Sequence, residues 1–569
     1  MRAAERSRIS WSARLAAVLA SPRVPIAAIA ALHLAAAIAL YRTEYGYFAE
    51  TLALLIWGFL NFVLLMVLRR PALSATVSLM TISVLIAMSQ FKFGIMEMTA
   101  TFLDVLIIDA DMLTFLLAIT PELRLALLIG AAALIPVTVL LWRFDPFRVP
   151  PRWSATGAAV CLTGVVALST AVPEQPWEPF EGVNHVSNFT RSAVLTLSEL
   201  SVHGWLESAK AAGHPVPMVG EPCPPGPKRP HIILLLDESS FDITAAPGIK
   251  VPDGYRDHFR SFDGKARSLV MESTGGPTWY AEYNVLTGLS VRSYGRFMFN
   301  VTRIAADRVE RGLPLALKRC GYRTFSHYPA YGAFLSARRF QTTAGIDQFF
   351  DLKDMGAPND LQPDSFYYDF ARQLIAREHA AGPLFAFVYV TVNHFPWNWQ
   401  FRPDLTPGWT GAGNSTEVDE YIRRQTMSVR DYADFLARLK TDFPGEAFLV
   451  ARFGDHQPAL SSKILEPGLD PKGRASRIMN YDARYFATYY AIDTVNFAAV
   501  DLSSALDTLD APYLPLVIQE AAGVPLDASF AEQKKILNRC HGLFYLCAGG
   551  AEARRFNRLL IEAGLIKGL

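Results

Sequence analysis

Charge is scarce in this chain. Only 19% of its 569 residues are Asp, Glu, Lys or Arg, against about 25% in soluble domains, and nearly all the long uncharged runs lie before residue 175. The two signs also cancel, with 54 basic and 53 acidic side chains, so no net field recruits a polyanion and a nucleic-acid partner is disfavoured. Cysteine is scarce too, at five residues. Cys161 sits in an apolar run, while Cys223, Cys320, Cys540 and Cys547 make an even set that an oxidising compartment pairs into two disulfides. Three connectivities are open, and Cys540 with Cys547 is the first choice.

Long uncharged sequence is abundant instead. Residues 24–41, 51–68, 72–91, 125–142 and 153–172 hold no Asp, Glu, Lys or Arg, and each matches the length that crosses about 30 Å of hydrocarbon. Buried helices of a soluble core rarely lack charge on every face, so these are read as five membrane spans. Arginine placement orients them, because cytoplasmic loops concentrate Lys and Arg. Arg2, Arg6, Arg8, Arg14 and Arg23 precede the first span, Arg69 and Arg70 follow the second, and Arg143, Arg148 and Arg152 separate the last two. The N-terminus is therefore expected in the cytoplasm and everything after residue 172 outside it. Between the third and fourth spans, residues 101–120 are apolar but carry Asp104, Asp109 and Asp111, which are costly at mid-bilayer. An interfacial helix is expected there.

Residues 1–172 thus read as a transmembrane domain and 173–229, rich in Pro, Gly and Ser, as a periplasmic linker with an amphipathic helix near 194–212. Residues 230–569 read as a separate domain outside the cytoplasm. In it, short apolar runs at 231–236, 268–271, 322–326, 384–392, 447–453 and 485–492 alternate with helical patterns. Such runs fit a mainly parallel sheet covered on both faces, an α/β/α sandwich. Ligands of such sheets gather beyond the carboxyl ends of the strands. The first strand runs into Glu238 and Ser239, the second into GGPTWYAEYN with Thr278, the fourth into Asn393 and His394, and the fifth into Asp455 and His456. Singly, each has a dull explanation, a helix cap or a satisfied histidine. Together, four strand ends offer carboxylates, imidazoles and a hydroxyl.

With those residues the chain resembles the alkaline phosphatase superfamily, in the branch of lipoteichoic acid synthases, phosphoglycerol transferases and phosphoethanolamine transferases. The shared pattern is Glu238-Ser239, Thr278 with Ala281-Glu282, GIDQFF at 345–350, Asn393-His394-Phe395-Pro396 and Gly454-Asp455-His456. The resemblance implies that Glu238, Thr278, Asp455 and His456 bind a divalent metal, with Thr278 as nucleophile and His394 contacting substrate. Two carboxylates, an imidazole and an oxygen nucleophile suit Zn²⁺ or Mn²⁺, and the lack of thiolate argues against a purely structural zinc. Asn393, Glu282 and Arg338 or Arg339 are further candidate substrate contacts. The chain departs from sulfatases in lacking C-x-P-x-R or S-x-P-x-R at the nucleophile. The Trp of the lipoteichoic branch's substrate loop is also missing from GAFLSARRF. The implied reaction moves a phospholipid headgroup, phosphoglycerol favoured, through a phosphothreonine to a periplasmic or surface glycan and releases diacylglycerol. Phosphoethanolamine transfer to lipid A or glycan, and hydrolysis, are the alternatives. The implied donor is phosphatidylglycerol or phosphatidylethanolamine, the acceptor a glycan or lipid-linked glycan. The implied location is a bacterial inner membrane.

Overall fold

The computed structural model describes residues 23–175, 177–211, 222–224, 228–359 and 361–568. The arginines at 2, 6, 8 and 14 and residue 212 of the expected amphipathic helix lie outside them. Two compact units emerge, one containing residues up to Asp109 with Leu116–Val202, the other Ala110–Phe115 with His203–Leu569.

Five helices in the first unit are long and apolar enough to cross a membrane: Val24–Tyr41, Tyr47–Leu68, Pro71–Met96, Leu123–Arg143 and Pro151–Ala171. The third outruns the uncharged sequence because Lys92 is neutralised within the unit by Asp104 at 2.8 Å. The second and fifth helices approach closely along glycines, since a Cβ on Gly157 would lie 2.7 Å from the Phe62 ring and one on Gly58 3.0 Å from Cys161 Sγ. Small residues let helix backbones meet where no hydrophobic effect drives them together. The single helix expected at 101–120 is two, Phe102–Leu106 and Ala110–Ile119, because Thr101 and Asp104 form a capping box that starts the first as a separate turn. The amphipathic helix is His185–Val202, earlier than its apolar pattern suggested, because the buried Glu44 carboxylate accepts the Val186 N–H at 2.8 Å and fixes its start.

The second unit carries an eight-stranded sheet: β1 His231–Asp237, β2 Arg267–Val270, β3 Arg323–His327, β4 Gln348–Phe350, β5 Leu384–Val390, β6 Phe448–Gly454, β7 Ala487–Val495 and β8 Thr508–Asp510. Their order is β4-β3-β5-β1-β6-β7-β2-β8, and only β7 runs against its neighbours. All seven residues of β1, β5 and β6 are buried, as continuous apolar strands covered on both faces require. Ile233, Leu235, Ala386, Val388 and Val450 point to one face and pack on Tyr367, Ala371, Leu374, Phe435 and Leu439 of helices Asp364–Glu378 and Thr416–Asp442. Disulfides join Cys223 to Cys320 and Cys540 to Cys547.

His327 at the end of β3 is fully buried, its ring edge-on to Phe350 and Phe370, and neither nitrogen has a hydrogen-bond partner. Burial, helped by the charge of Arg377, depresses its pKa from 6.5 to about 3. The neutral ring therefore contributes stability that is full above pH 6.5 and is lost as pH falls toward 3. Replacing it by Leu should remove on the order of 4 kcal/mol of acid sensitivity, read as a lower midpoint in acid-unfolding titrations followed by circular dichroism.

Candidate active site

Strand register builds the site. Asp237 pairs with Gly454 across β1 and β6 and with Val390 across β1 and β5. The next residues, Glu238 and Asp455, therefore leave adjacent strands at the same level, and Asn393 and His394 follow on the other side. The turn after β1 is tight: Ser239 adopts φ 54°, a left-handed conformation that is costly for a residue with a Cβ. That twist aims the Ser239 N–H at Asp455 Oδ1, 2.8 Å away, while its hydroxyl donates to Glu238 Oε1 at 2.8 Å. The Tyr421 hydroxyl donates to the Ser239 carbonyl at 2.9 Å and holds the turn from behind.

Glu238, Asp455 and His456 are all buried, and one ligand atom from each lies within 4.8 Å of the others. The His456 Nδ1–H donates to the Gln457 carbonyl at 3.0 Å, which leaves the Nε2 lone pair facing the carboxylates. Nε2 lies 3.2 Å from Asp455 Oδ2 and 3.4 Å from Glu238 Oε1. Buried Asp455 Oδ2 and His456 Nε2 nevertheless make no hydrogen bond. Orphaned acceptors of this kind, converging without thiolate, fit a divalent cation.

Proton affinities agree with that crowding. Burial would raise Glu238, but the charges of His456 and His394, with the hydrogen bond from the Ser239 hydroxyl, pull it below the usual range. Burial and then the charge of Glu238 push Asp455 upward. For His456, burial opposes the charged form, yet Asp455 and Glu238 outweigh it and raise the imidazole.

Thr278 opens the helix Thr278–Thr287 after Pro277. Its hydroxyl donates to Glu238 Oε2 at 3.1 Å, so the structure places it at the edge of the cluster. Being the first residue of a helix, it lies where backbone N–H groups and the positive end of the dipole favour an anion. His394 is half-buried and its Nδ1 donates to the Phe395 carbonyl at 2.8 Å.

The other residues singled out from sequence stand elsewhere. Asn393 is buried and donates to Gln425 Oε1 at 2.9 Å. Glu282 lies one turn below Thr278 at 1% exposure, bonded by Gln341 at 3.1 Å, and burial raises it to about 7. Arg338 is engaged by Asp351 and Asp354, both at 3.0 Å, beside β4, which lies three positions from β1 in the sheet. Arg339 pairs with Asp307 at 3.4 Å and Asp111 at 3.8 Å. The structure thus gathers Glu238, Thr278, Asp455 and His456 and leaves Asn393, Glu282, Arg338 and Arg339 out of the cluster.

Arg424 escaped the sequence reading. It is fully buried and donates to the carbonyls of His394 at 2.7 Å, Pro396 at 2.8 Å and Trp399 at 3.1 Å, with Glu420 at 2.6 Å balancing its charge. Its neighbour Arg423 grips the Phe401 carbonyl. In sequence, two arginines on an amphipathic helix look like a solvated face. Replacing Arg424 by Ala should cost about 3 kcal/mol by leaving three carbonyls without their donor, while Glu420 keeps Arg423 at 2.8 Å, and should speed proteolysis between residues 394 and 402. Lys should not restore the loop, since it lacks the planar fork.

With this geometry in place, the comparisons with known proteins are informative. Residues 232–489 match the family model described as Sulfatase. Among solved structures, the chain is similar to the phosphoglycerol transferase GacH from Streptococcus pyogenes, at 16% identity over 60% of this chain and 87% of that one, with a TM-score of 0.45. It is also similar to the lipooligosaccharide phosphoethanolamine transferase EptA from Neisseria meningitidis, at 11% identity over 89% and 98%, TM-score 0.44. A third is the lipoteichoic acid synthase LtaP from Listeria monocytogenes, at 16% identity over 52% and 73%, TM-score 0.41. No curated protein sequence matches the chain.

Proposed function

We propose that this chain is a membrane-anchored phosphotransferase that moves a phospholipid headgroup, phosphoglycerol first, onto a periplasmic or surface glycan. The observation that carries the reading is the buried convergence of Glu238, Asp455 and His456 within 4.8 Å, with the Thr278 hydroxyl 3.1 Å from Glu238. Residues 230–569 form the catalytic portion, outside the cytoplasm, and the spans anchor it in a bacterial inner membrane with the N-terminus inside. Anchoring to the donor's own bilayer raises the donor's effective concentration.

Glu238, Asp455, His456 and Thr278 Oγ1 would hold the cation. When bound, a divalent ion such as Zn²⁺ or Mn²⁺ supplies charge that acidifies the threonine hydroxyl and offsets the negative phosphoryl oxygens. Thr278 Oγ1 attacks the phosphorus of the lipid headgroup as its proton passes to Glu238 Oε2, 3.1 Å away, to be returned when Thr278 is freed, and the bond from phosphorus to the diacylglycerol oxygen breaks. Backbone N–H groups at the start of helix Thr278–Thr287 orient the phosphate. The His394 imidazole delivers the proton that the departing diacylglycerol oxygen takes up. A glycan hydroxyl then attacks the phosphothreonine, passes its proton back to His394 and frees Thr278.

The test is to incubate the full chain in detergent micelles with phosphatidylglycerol or phosphatidylethanolamine labelled in the headgroup. Diacylglycerol release should be faster with phosphatidylglycerol and abolished by a chelator until Zn²⁺ or Mn²⁺ is restored. Preference for phosphatidylethanolamine would assign the other headgroup, release indifferent to added glycan would make the chain a hydrolase, and no release from either lipid would end the proposal.

A further inference from the structure

Beside the cluster, at the same carboxyl edge of the sheet, lies a cavity of about 430 Å³ whose walls include Asp242, Ser268, Gln457, Glu466, Arg484 and Tyr485. None of the nucleophile or cation-cluster residues lines it. It is nonetheless joined to them through Gln457, whose carbonyl accepts the His456 Nδ1–H at 3.0 Å and the Gly275 N–H at 2.8 Å, three residues before Thr278.

The Gln457 side chain is the telling group. It is 1% exposed, and its amide nitrogen donates to the carbonyls of Arg484 at 2.9 Å and Ala487 at 2.7 Å. Both N–H bonds are thereby committed and the amide cannot turn over. The oxygen Oε1 that remains is buried and has no partner. A buried amide oxygen without a donor costs about 1–3 kcal/mol, and Gln457, which carries it, borders the cavity.

The rest of the lining narrows the ligand. Asp242 and Glu466 add two carboxylates, part-exposed at 27% and 24%. The one cation, Arg484, is already held by Asp482 at 2.6 Å and Glu466 at 3.3 Å. Arg256 pairs with Asp242 at 3.1 Å, and Arg484 and Arg477 pair with Glu466 at 3.3 and 3.5 Å, so the charges around the cavity are balanced and a neutral molecule suits it better than a phosphate or a carboxylate. Hydroxyls on Ser268 and Thr488 beside apolar walls from Phe241, Leu465 and Tyr485 suit a molecule that both donates and accepts while presenting C–H faces. An amine would use the carboxylates alone. The volume is in the range that holds a small ligand.

The geometry points to this cavity as the subsite for a neutral sugar unit of the acceptor, its hydroxyls donating to Gln457 Oε1, Asp242 and Glu466, next to the nucleophile's loop. This rests on the transfer reading above and adds to it where the acceptor binds and by which groups.

The test separates the two. Cellotetraose is titrated by calorimetry into the full chain in micelles, with a Thr278→Ala chain in parallel because binding needs no turnover. Both should bind, and Ala245→Trp, a bulky side chain at an exposed lining position, should weaken binding at least tenfold with an unchanged melting temperature. Glu466→Gln serves as a second variant and should weaken it severalfold. In the labelled-lipid assay, added cellotetraose should raise the ratio of sugar-bound to water-bound headgroup, and Ala245→Trp should lower that ratio at least tenfold. Absence of binding to wild type, equal binding to Ala245→Trp, or binding of ethanolamine in place of the sugar would overturn the assignment. Sugar binding lost with Ala245→Trp but no lipid cleavage by wild type would refute transfer and leave a sugar site.

Discussion

Replacing Thr278 by Ala is expected to leave a folded chain that releases no diacylglycerol. The substitution removes one hydroxyl, whose bonds are to Glu238 Oε2 at 3.1 Å and a long contact with the Gly276 carbonyl at 3.4 Å. Neither bond caps the helix, which Pro277 precedes, and a half-buried first-turn residue tolerates Ala within about 1 kcal/mol. Chemistry is another matter, because no second hydroxyl of the cluster could accept the phosphoryl group: Ser239 donates its own to Glu238 Oε1 and is 2% exposed. The loss should be on the order of 10⁴-fold or more, as for other covalent nucleophiles, with melting temperature nearly unchanged. Ser at 278 keeps the oxygen and should retain part of the rate. Wild-type turnover in the Ala chain would remove the phosphothreonine from the mechanism.

The second large effect is expected one residue before the cluster. A Cβ on Gly454 would lie 1.9 Å from the Ser240 carbonyl oxygen and 3.1 Å from Thr488 Cβ, and backbone cannot swing aside as a side chain can. Gly454 is needed for this approach of two chains, since it is the last residue of β6 and sits beside the turn that carries Glu238. Alanine must push that turn outward and with it the Ser239 N–H that holds Asp455. Overpacking of this severity costs about 3 kcal/mol or more, and a shift of about 1 Å in a catalytic group costs roughly 10²-fold in rate. Thermal melting and the diacylglycerol assay on Gly454→Ala check both parts. A variant that melts and turns over like wild type would show that the two backbones do not meet so closely.

How much of this could be read beforehand follows from what each feature depends on. The central strands were legible because burial on both faces leaves predominantly apolar runs in β1, β5 and β6. The edge strands β4 and β8 were not, since three residues each carry no periodicity. Glu238, Thr278, Asp455 and His456 were legible because strand ends of a parallel sheet converge and because the family resemblance singled these four out among the strand-end residues. Their partners were not: the left-handed Ser239 and the burial of Arg424 come from tertiary packing. Arg338 was nominated by its loop, but a guanidinium goes to the nearest carboxylates, and Asp351 and Asp354 follow within sixteen residues.

The hydrogen bonds by which Arg424 grips His394, Pro396 and Trp399 all end on main-chain oxygens, which every amino acid possesses. The path of that segment thus depends little on the exposed Asn398, whereas Phe395, its ring stacked 4.7 Å from the His394 imidazole, and Trp399, its ring 5.4 Å from the Arg424 guanidinium, help to hold the imidazole in place. A chain built this way can be retuned toward a new substrate at that rim position while the reacting groups stay where they are.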